Sequence, residues 1–244
     1  MHDKGVNHET RNFYAVGVGA GDPMDMTLRA KAVLEQADII VTPIPKAGGT
    51  SAAYAIAAQA ADLSHAERLD ILFPMQAHND YRERLRSGVL QPVCAALDSG
   101  RQVAMVTLGD VSVYSTASYV RQLLAEKGYA TQVIAGVPSF CAGAAKAQQS
   151  LCENSESLQI LPAVHSREAV ETALEQFDNL VVMKAGRAMA WLLPLLRERG
   201  LLEHTTMLRD VGMPSEYIGK PELEPYSYFT TLLIKEEICK WYIL

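Results

Sequence analysis

Paired cysteines, clustered histidines and long apolar runs are all missing from this sequence of 244 residues. The four cysteines form no C-x-x-C pair, which argues against a disulfide framework or a zinc site; they are Cys94, Cys141, Cys152 and Cys239. The six histidines include no H-E-x-x-H motif, so metal-dependent hydrolysis lacks ligands at a usable spacing. No apolar run approaches the roughly 20 residues that span a bilayer, and residues 1–11 are polar, unlike a signal peptide. We therefore expect a soluble, cytoplasmic protein with reduced thiols, no metal and no membrane segment.

Positive charge is also scarce. Lysine and arginine number 22 against 28 aspartates and glutamates, which leaves a net charge of -6. A field of this sign repels nucleic acid and anionic membranes, so an acidic substrate would need a local patch of cations. With 49% hydrophobic residues the chain can bury one large core or two medium ones, and the usual domain size of about 100–150 residues favours two α/β lobes.

The first half of the chain alternates apolar strands with amphipathic helices. A β-prone stretch at 13–18 runs into the glycine-rich loop 17–23, and a helix capped by Thr27 leads to a second strand at 39–42. A strand, a helix and a second strand in this order imply parallel pairing. The alternation continues through a helix at 51–61, a strand at 69–73, a helix at 79–98, a strand at 102–107 and a helix at 115–127. We therefore expect a mostly parallel N-terminal sheet.

The second half of the chain is predicted to form a separate α/β lobe. Gly128 fits the C-terminal cap of a helix, and the strand after it, at 131–135, is expected to open that lobe, which divides the chain into 1–128 and 129–244. The predicted elements are helices at 139–148, from Arg167 and at 189–199, and strands at 158–161, 180–183, 206–209 and 227–234. The last two strands have no helix between them, which favours antiparallel pairing and a mixed sheet. The tail after Lys235 is predicted to be a short helix or an edge strand at a subunit contact.

Two glycine-rich segments fall short of the common nucleotide-binding motifs. The loop 17–23 carries Asp22 where a dinucleotide fingerprint has its third glycine, and a carboxylate there would repel a pyrophosphate. A tight turn that lets helix and sheet approach explains its glycines almost as well as ligand contact does, and the two explanations are compatible. The segment 48–51 lacks the ending of a phosphate loop, since Lys46 precedes its glycines. No G-x-S-x-G element supports a hydrolase nucleophile.

A Gly-Asp turn and a pair of arginines are the candidate site residues that the chain itself suggests. Gly109 and Asp110 follow the strand 102–107 at its carboxyl end, where open α/β sheets bind ligands, although an ordinary turn has the same composition. Arg82 and Arg86 lie four residues apart on one face of a predicted helix. They are placed either to hold carboxylates or to form a solvated surface.

The loop motifs of the chain, in order, are VGVGAGDP, TLRA, ADIIV, TLGDVSVYS, GVPSF and VVMK. In this order and spacing they resemble the tetrapyrrole methyltransferases that use S-adenosylmethionine, and the similarity spans residues 13–234. The segments PIPK, SAAY, FPM and YST are similar to the branch that methylates precorrin-2, or its cobalt form, at C20 in cobalamin synthesis. Pro43 stands where the uroporphyrinogen branch usually has an aspartate, which favours the C20 branch. Ala20 and Val111 replace two prolines that are usual in the family loops.

The resemblance implies two α/β lobes with S-adenosylmethionine in the cleft between them, a small-molecule tetrapyrrole substrate and a homodimer. The cofactor-binding positions that it implies are Ala20, Leu108, Gly109, Asp110, Val113, Ser115, Thr116, Pro138, Ser139, Met183, Gly212 and Thr230. The loop 19–22 is implied to border the macrocycle. Because that substrate carries many carboxylates and the chain is acidic, binding needs local cations. The candidates are Arg29, Lys46, Arg82 and Arg86.

Methyl transfer from a sulfonium is an in-line displacement whose reactivity resides in the cofactor, so the protein's task is to position the meso carbon. Asp110 is expected either to meet the cofactor's ammonium group or to structure its turn, because a carboxylate at the sulfur would favour the charged ground state. Asp110 and Tyr114 are the candidate catalytic residues, since loss of the C20 proton needs a carboxylate, a tyrosine or water. The alternatives are a family member that acts at another corrinoid position or on an RNA ribose, and a non-catalytic protein that binds the same ligands.

Overall fold

The computed structural model describes residues 12–46, 48–73, 88–162, 166–221 and 224–235. The chain divides into two compact units, Met1–Pro138 and Ser139–Leu244, each with its own β-sheet. Within the described ranges, no helix is both long and apolar enough to cross a bilayer. The predicted α/β class, with one parallel and one mixed sheet, is confirmed.

Parallel strands form the sheet of the first unit. They are β1 (Asn12–Gly17), β2 (Ile39–Ile44), β3 (Glu67–Leu72), β4 (Val103–Thr107) and β5 (Ala130–Ile134). The strand order is β3-β2-β4-β1-β5, and every neighbouring pair is parallel. The central strands β1, β2 and β4 are almost wholly apolar and buried, as expected for strands covered on both faces.

Helices cover both faces of this sheet. In the described part of the unit they are α1 (Leu28–Leu34), α2 (Ala52–Ala60), α3 (Leu90–Asp98) and α4 (Thr116–Glu126). Helices α1 and α2 pack with Val16, Ile40 and Val106 on one face, whereas α3 and α4 pack with Phe13 and Met105 on the other. The strand residues that contact the two pairs of helices alternate along each strand, because successive side chains point to opposite faces of the sheet.

Side-chain caps begin α1 and α2. The Thr27 hydroxyl accepts a hydrogen bond from Ala30 N at 3.1 Å, and the Ser51 hydroxyl accepts one from Tyr54 N at 3.3 Å. Thr27 also donates its hydroxyl hydrogen to the carbonyl of Ala135 at 3.1 Å. The predicted cap at Thr27 therefore both starts α1 and ties it to the segment after β5.

Strand β5 belongs to the first sheet, and this corrects the predicted domain boundary. Gly128 does end α4, with φ 88°. The chain then returns to the sheet, where β5 pairs in parallel with β1 and Val133 lies opposite Ala15. The chain therefore divides after Pro138 and not after Gly128. The periodicity that identifies a strand does not say which sheet the strand joins.

The second unit contains a mixed sheet. Its strands are β6 (Leu158–Pro162), β7 (Asn179–Met183), β8 (Thr205–Arg209), β9 (Tyr217–Gly219) and β10 (Thr231–Lys235). The order is β6-β7-β10-β8-β9. Strands β6 and β7 are parallel, whereas β10 is antiparallel to β7 and to β8. Strand β9 pairs antiparallel with β8 at the edge of the sheet.

The described α-helices of the second unit are α5 (Ser139–Lys146), α6 (Arg167–Gln176) and α7 (Met189–Glu198). Helices α6 and α7 pack with Val182, Met207 and Leu232 in one core. Gly143 of α5 lies directly on Leu208, where an added Cβ would come within 2.3 Å of a Leu208 methyl carbon. Because Leu208 and Met207 are successive strand residues, α5 covers the opposite face.

Three predicted elements differ from the structure or lie outside it, and one observed strand was not predicted. The predicted strand 227–234 pairs only from Thr231, because Ser227 and Thr230 close a turn in which Thr230 N donates to the Ser227 carbonyl at 3.2 Å. Strand β9 was not predicted, since three residues are too few for periodicity to show. Residues 79–87 of the predicted helix 79–98, and the tail after Lys235, lie outside the described residues.

Candidate functional site

Glycines bring the loops after β1, β4 and β5 together at the carboxyl end of the first sheet. A Cβ on Gly136 would lie 2.2 Å from the carbonyl oxygen of Gly109 and 2.7 Å from the carbonyl carbon of Gly17. Gly19 and Gly109 also exchange two backbone hydrogen bonds, with N···O distances of 3.3 and 2.7 Å. No side chain fits between these backbones, so the glycines serve the tight turn that was one of their two predicted explanations.

Asp110 fastens the loop after β4 to the segment after β5. Its carboxylate accepts hydrogen bonds from the backbone N–H of Ser112 at 2.8 Å and of Gly136 at 2.7 Å, and also from the hydroxyl of Ser112. Only 8% of the residue is exposed. Burial raises the pKa of Asp110, but these three hydrogen bonds together outweigh burial and leave the pKa below its ordinary value. Asp110 therefore structures its turn as a carboxylate, which is one of the two roles predicted for it.

The rest of the loop after β4 is ordered by short-range contacts. Val113 N donates to the carbonyl of Asp110 at 3.2 Å. The Ser115 hydroxyl donates to the Thr107 hydroxyl at 3.0 Å and caps α4, which Thr116 begins. Between them, Tyr114 adopts a left-handed φ of 47° and is 49% exposed. The turn thus presents the Tyr114 side chain at the surface of this sheet edge.

The loops after β1 and β4 leave the sheet in opposite directions. The two strands are neighbours, yet α1 lies on one face of the sheet and α4 on the other. This is the arrangement in which open α/β sheets bind ligands, beyond the carboxyl ends of the strands. The structure therefore brings most predicted cofactor positions of the first unit to this edge, namely Ala20, Leu108, Gly109, Asp110, Val113, Ser115 and Thr116. Pro138 follows β5, and Ser139 begins α5.

Met183, Gly212 and Thr230 lie at one edge of the second sheet. Strands β7 and β8 both run antiparallel to β10, so the carboxyl ends of β7 and β8 and the amino end of β10 meet there. Thr230 is fully buried, and its carbonyl accepts a hydrogen bond from Ala185 N at 2.8 Å. Gly212 N donates to the Glu216 carboxylate at 2.6 Å. Three positions far apart in the chain are thus assembled by the strand order of this unit.

A lysine and two aromatic rings at this second edge were not predicted as site residues. Lys184 follows β7 with a left-handed φ of 55°, and its ammonium lies 5.6 Å from the centre of the Tyr228 ring. Tyr228 packs edge to face on Phe229 with ring centres 5.2 Å apart. Tyr228 is 47% exposed and Phe229 is 41% exposed. Lys184 ends the VVMK motif, and its strained backbone, which marks functional positions in many proteins, is visible only in the structure.

Two of the four cationic side chains predicted to bind the substrate lie within the residues that the structure describes. Arg29 is an exposed residue in the first turn of α1, and Lys46 is an exposed residue after β2, so both follow strands at the carboxyl edge of the first sheet. Neither forms a salt bridge with another described residue. Arg82 and Arg86 lie outside the described residues. In the same described part of the chain, no three His, Cys, Asp or Glu side chains are grouped to hold a metal ion.

Comparison with known proteins shows the family. The model of the family described as "Tetrapyrrole (Corrin/Porphyrin) Methylases" matches residues 12–225. The cobalt-precorrin-2 C(20)-methyltransferase of Salmonella typhimurium is 31% identical over 92% of this chain and 96% of its own length. A protein of Methanocaldococcus jannaschii named as a probable cobalt-precorrin-2 C(20)-methyltransferase is 36% identical over 73% of this chain and 74% of its own length. The chain belongs to the tetrapyrrole methylase family, and the predicted resemblance to its C20 branch is confirmed.

Solved structures show the same fold. A cobalt precorrin-4 methyltransferase superposes with a TM-score of 0.71 at 17% identity, covering 96% of this chain and 98% of that one. A uroporphyrin-III C-methyltransferase from Thermus thermophilus, solved with S-adenosylhomocysteine, superposes with a TM-score of 0.65 at 18% identity. It covers 92% of this chain and 97% of its own. The architecture of both sheets is therefore that of the tetrapyrrole methylases.

Proposed function

We propose that this protein transfers a methyl group from S-adenosylmethionine to C20 of precorrin-2, or of its cobalt form, in cobalamin biosynthesis, as a cytoplasmic homodimer. The observation that carries the proposal is the similarity to two relatives that are both named for methylation at C20, one of them along almost its entire length. Pro43 supports the same branch, because a uroporphyrinogen methyltransferase would be expected to have an aspartate there.

The residues at the two sheet edges fit a cationic, flexible cofactor better than a dinucleotide. Gly17, Gly109 and Gly136 let the loops after β1, β4 and β5 pack backbone against backbone at this edge, and Gly19 and Gly109 both adopt positive φ. Asp22 and Asp110 place two carboxylates at the same edge, where their negative charge would repel a pyrophosphate and favour a ligand of positive charge. We propose that the positions named above in each unit contact S-adenosylmethionine, most of them through backbone groups.

When bound, S-adenosylmethionine supplies a methyl group on a positively charged sulfur. The chain's own contribution is orientation, which in favourable cases lowers a barrier by about 7–11 kcal/mol. Asp110 holds the loop that surrounds this edge, and its three hydrogen bonds make it a poor proton acceptor. Removal of the C20 proton is therefore assigned to the exposed Tyr114 or to water.

Incubation of the full chain with methyl-labelled S-adenosylmethionine and precorrin-2, with and without cobalt, tests the proposal. We expect the label at C20, located by NMR of the product. Label at another carbon would make the protein a family member of different regiospecificity. Binding of both ligands without any transfer would make it a non-catalytic binding protein.

The exposed cations at the first sheet edge are expected to hold substrate carboxylates. Arg29→Gln and Lys46→Gln should each weaken macrocycle binding about two- to fivefold, as expected for exposed charge pairs, and their effects should shrink as salt is added. Fluorescence titration with precorrin-2 measures the dissociation constant.

Lys31→Gln is the matched control, because Lys31 lies on the same helix as Arg29 and already pairs with Glu35 at 3.7 Å. It removes the same charge from α1, so any general effect of net charge appears in it as well. Equal losses in all three variants would mean that Arg29 and Lys46 form no specific contact. Arg82 and Arg86 stay predictions from the sequence.

A further inference from the structure

The loop after β8 depends on one buried carboxylate, that of Asp210. The residue follows β8 directly, is 8% exposed and adopts φ 51°, a left-handed conformation that is uncommon outside glycine. One carboxylate oxygen accepts the Ser227 hydroxyl at 2.6 Å, and the other accepts the Ser215 hydroxyl at 2.9 Å. Asp210 therefore links the loop after β8 to the turn that precedes β10.

That turn, residues 227–230, also holds the backbone that follows β7. Ser227 N donates to the Thr230 hydroxyl at 3.1 Å, and the Thr230 carbonyl accepts from Ala185 N at 2.8 Å. A Cβ on Gly186 would lie only 2.2 Å from the Ser227 carbonyl oxygen, so the two backbones are in direct contact. A shift of Ser227 would therefore move Thr230 and the segment that follows Met183 together.

We propose that Asp210 is a positioning residue for the cofactor, and that it acts through Ser227 to hold Thr230 and Met183 in the arrangement that binds S-adenosylmethionine. The inference rests on the proposed function, in which Thr230 and Met183 are cofactor contacts. Asp210 acts indirectly and not as a cofactor contact, because both of its carboxylate oxygens already accept hydrogen bonds from hydroxyl groups of this chain. Hydrogen bonds to an ionised group are stronger than those between neutral groups, which suits a contact that has to keep the turn 227–230 in one position.

Ser215 provides a matched control for this link. Ser215→Ala and Ser227→Ala each remove one hydroxyl from Asp210, but only Ser227 belongs to the turn that contacts Ala185 and Gly186. We expect Asp210→Ala and Ser227→Ala to weaken binding of S-adenosylhomocysteine about tenfold, measured by calorimetry on the full chain, while Ser215→Ala stays within about twofold.

Two further variants separate positioning from general stability. Asp210→Asn keeps an oxygen that can accept the Ser227 hydroxyl, so it should recover most of the affinity. Asp210→Ala combined with Ser227→Ala should bind no more weakly than the worse single variant, because both changes break the same link. Melting temperatures are measured alongside, and if Asp210→Ala does not fold, Ser227→Ala and Asp210→Asn carry the comparison.

Equal losses in Ser215→Ala and Ser227→Ala would overturn the inference, since the effect would then follow the stability of the unit and not the turn. Unchanged affinity in Ser227→Ala would overturn it as well. If the parent chain does not bind S-adenosylhomocysteine, the proposed function fails and this inference with it. If the parent binds and every variant retains that affinity, this inference alone fails.

Discussion

Replacement of Gly136 by alanine is expected to lower the free energy of unfolding by about 3 kcal/mol and to abolish cofactor binding. The added Cβ would lie 2.2 Å from the Gly109 carbonyl oxygen and 2.7 Å from the carbonyl carbon of Gly17. Both neighbours are backbone atoms that cannot rotate aside, so the loops after β1 and β4 must separate from the segment after β5. Urea unfolding and calorimetry with S-adenosylhomocysteine measure the two effects.

Gly88→Ala is the control for this substitution. No atom of a described residue lies within 4 Å of a Cβ at Gly88, and its φ is not in the left-handed range. The change should therefore be neutral or slightly stabilising, because alanine restricts the unfolded chain more than glycine does. If the two alanine variants unfolded at the same urea concentration, the backbone contact at Gly136 would not be a constraint on folding.

The parts of the site that follow directly on a strand were predictable from the sequence. Gly109 and Asp110 were recognised because an apolar strand ended at a turn, and Thr27 because a hydroxyl preceded a helical pattern. In both places the local pattern and the tertiary structure agree, since each feature depends on residues only a few positions apart. The family resemblance then supplied candidate positions that have no local signal, such as Gly212 and Thr230.

The remaining features depend on contacts between residues distant in the chain. The position of β5 beside β1 reflects a crossover, and the strand pattern at 131–135 is the same whichever sheet receives it. Asp210 reads as an ordinary turn residue in the sequence, because its partner Ser227 is separated from it by strand β9 and a loop. The left-handed backbone conformation of Lys184 could not be predicted from the amino-acid composition around it either.

Asp110→Asn tests the role of Asp110 in holding its turn against the other predicted role, contact with the cofactor's ammonium group. In the structure, both carboxylate oxygens accept hydrogen bonds from Ser112 and Gly136. An asparagine would turn an N–H group toward one of these donors and leave a nearly buried pair unsatisfied, at a cost of about 1–3 kcal/mol. We therefore expect lower stability of the protein without cofactor, and cofactor affinity reduced about tenfold or more because the loop loosens. Denaturant unfolding without ligand and calorimetry with ligand measure the two quantities.

The comparison variant is Asp22→Asn, because the Asp22 side chain accepts an exposed hydrogen bond from Met24 N at 2.9 Å that an asparagine oxygen can keep. Its stability should match that of the parent. If Asp110 served only to bind the cofactor's ammonium group, Asp110→Asn would lower the affinity and leave the stability of the ligand-free protein unchanged. If neither quantity changed, Asp110 would have neither role.

The pH dependence of stability gives an independent test of whether the Asp110 carboxylate holds the loop after β4 to the segment after β5. The folded pKa of Asp110 lies below the ordinary value of 3.8, so its carboxylate stabilises the fold at pH values above about 4, and this contribution disappears as the pH falls through the folded pKa. The difference in unfolding free energy between the parent and Asp110→Asn should therefore be constant from about pH 5 to pH 7 and should shrink below about pH 4. A difference that stayed constant down to pH 3 would show that the ionised carboxylate does not hold the loop, because only the charged form accepts all three hydrogen bonds from Ser112 and Gly136.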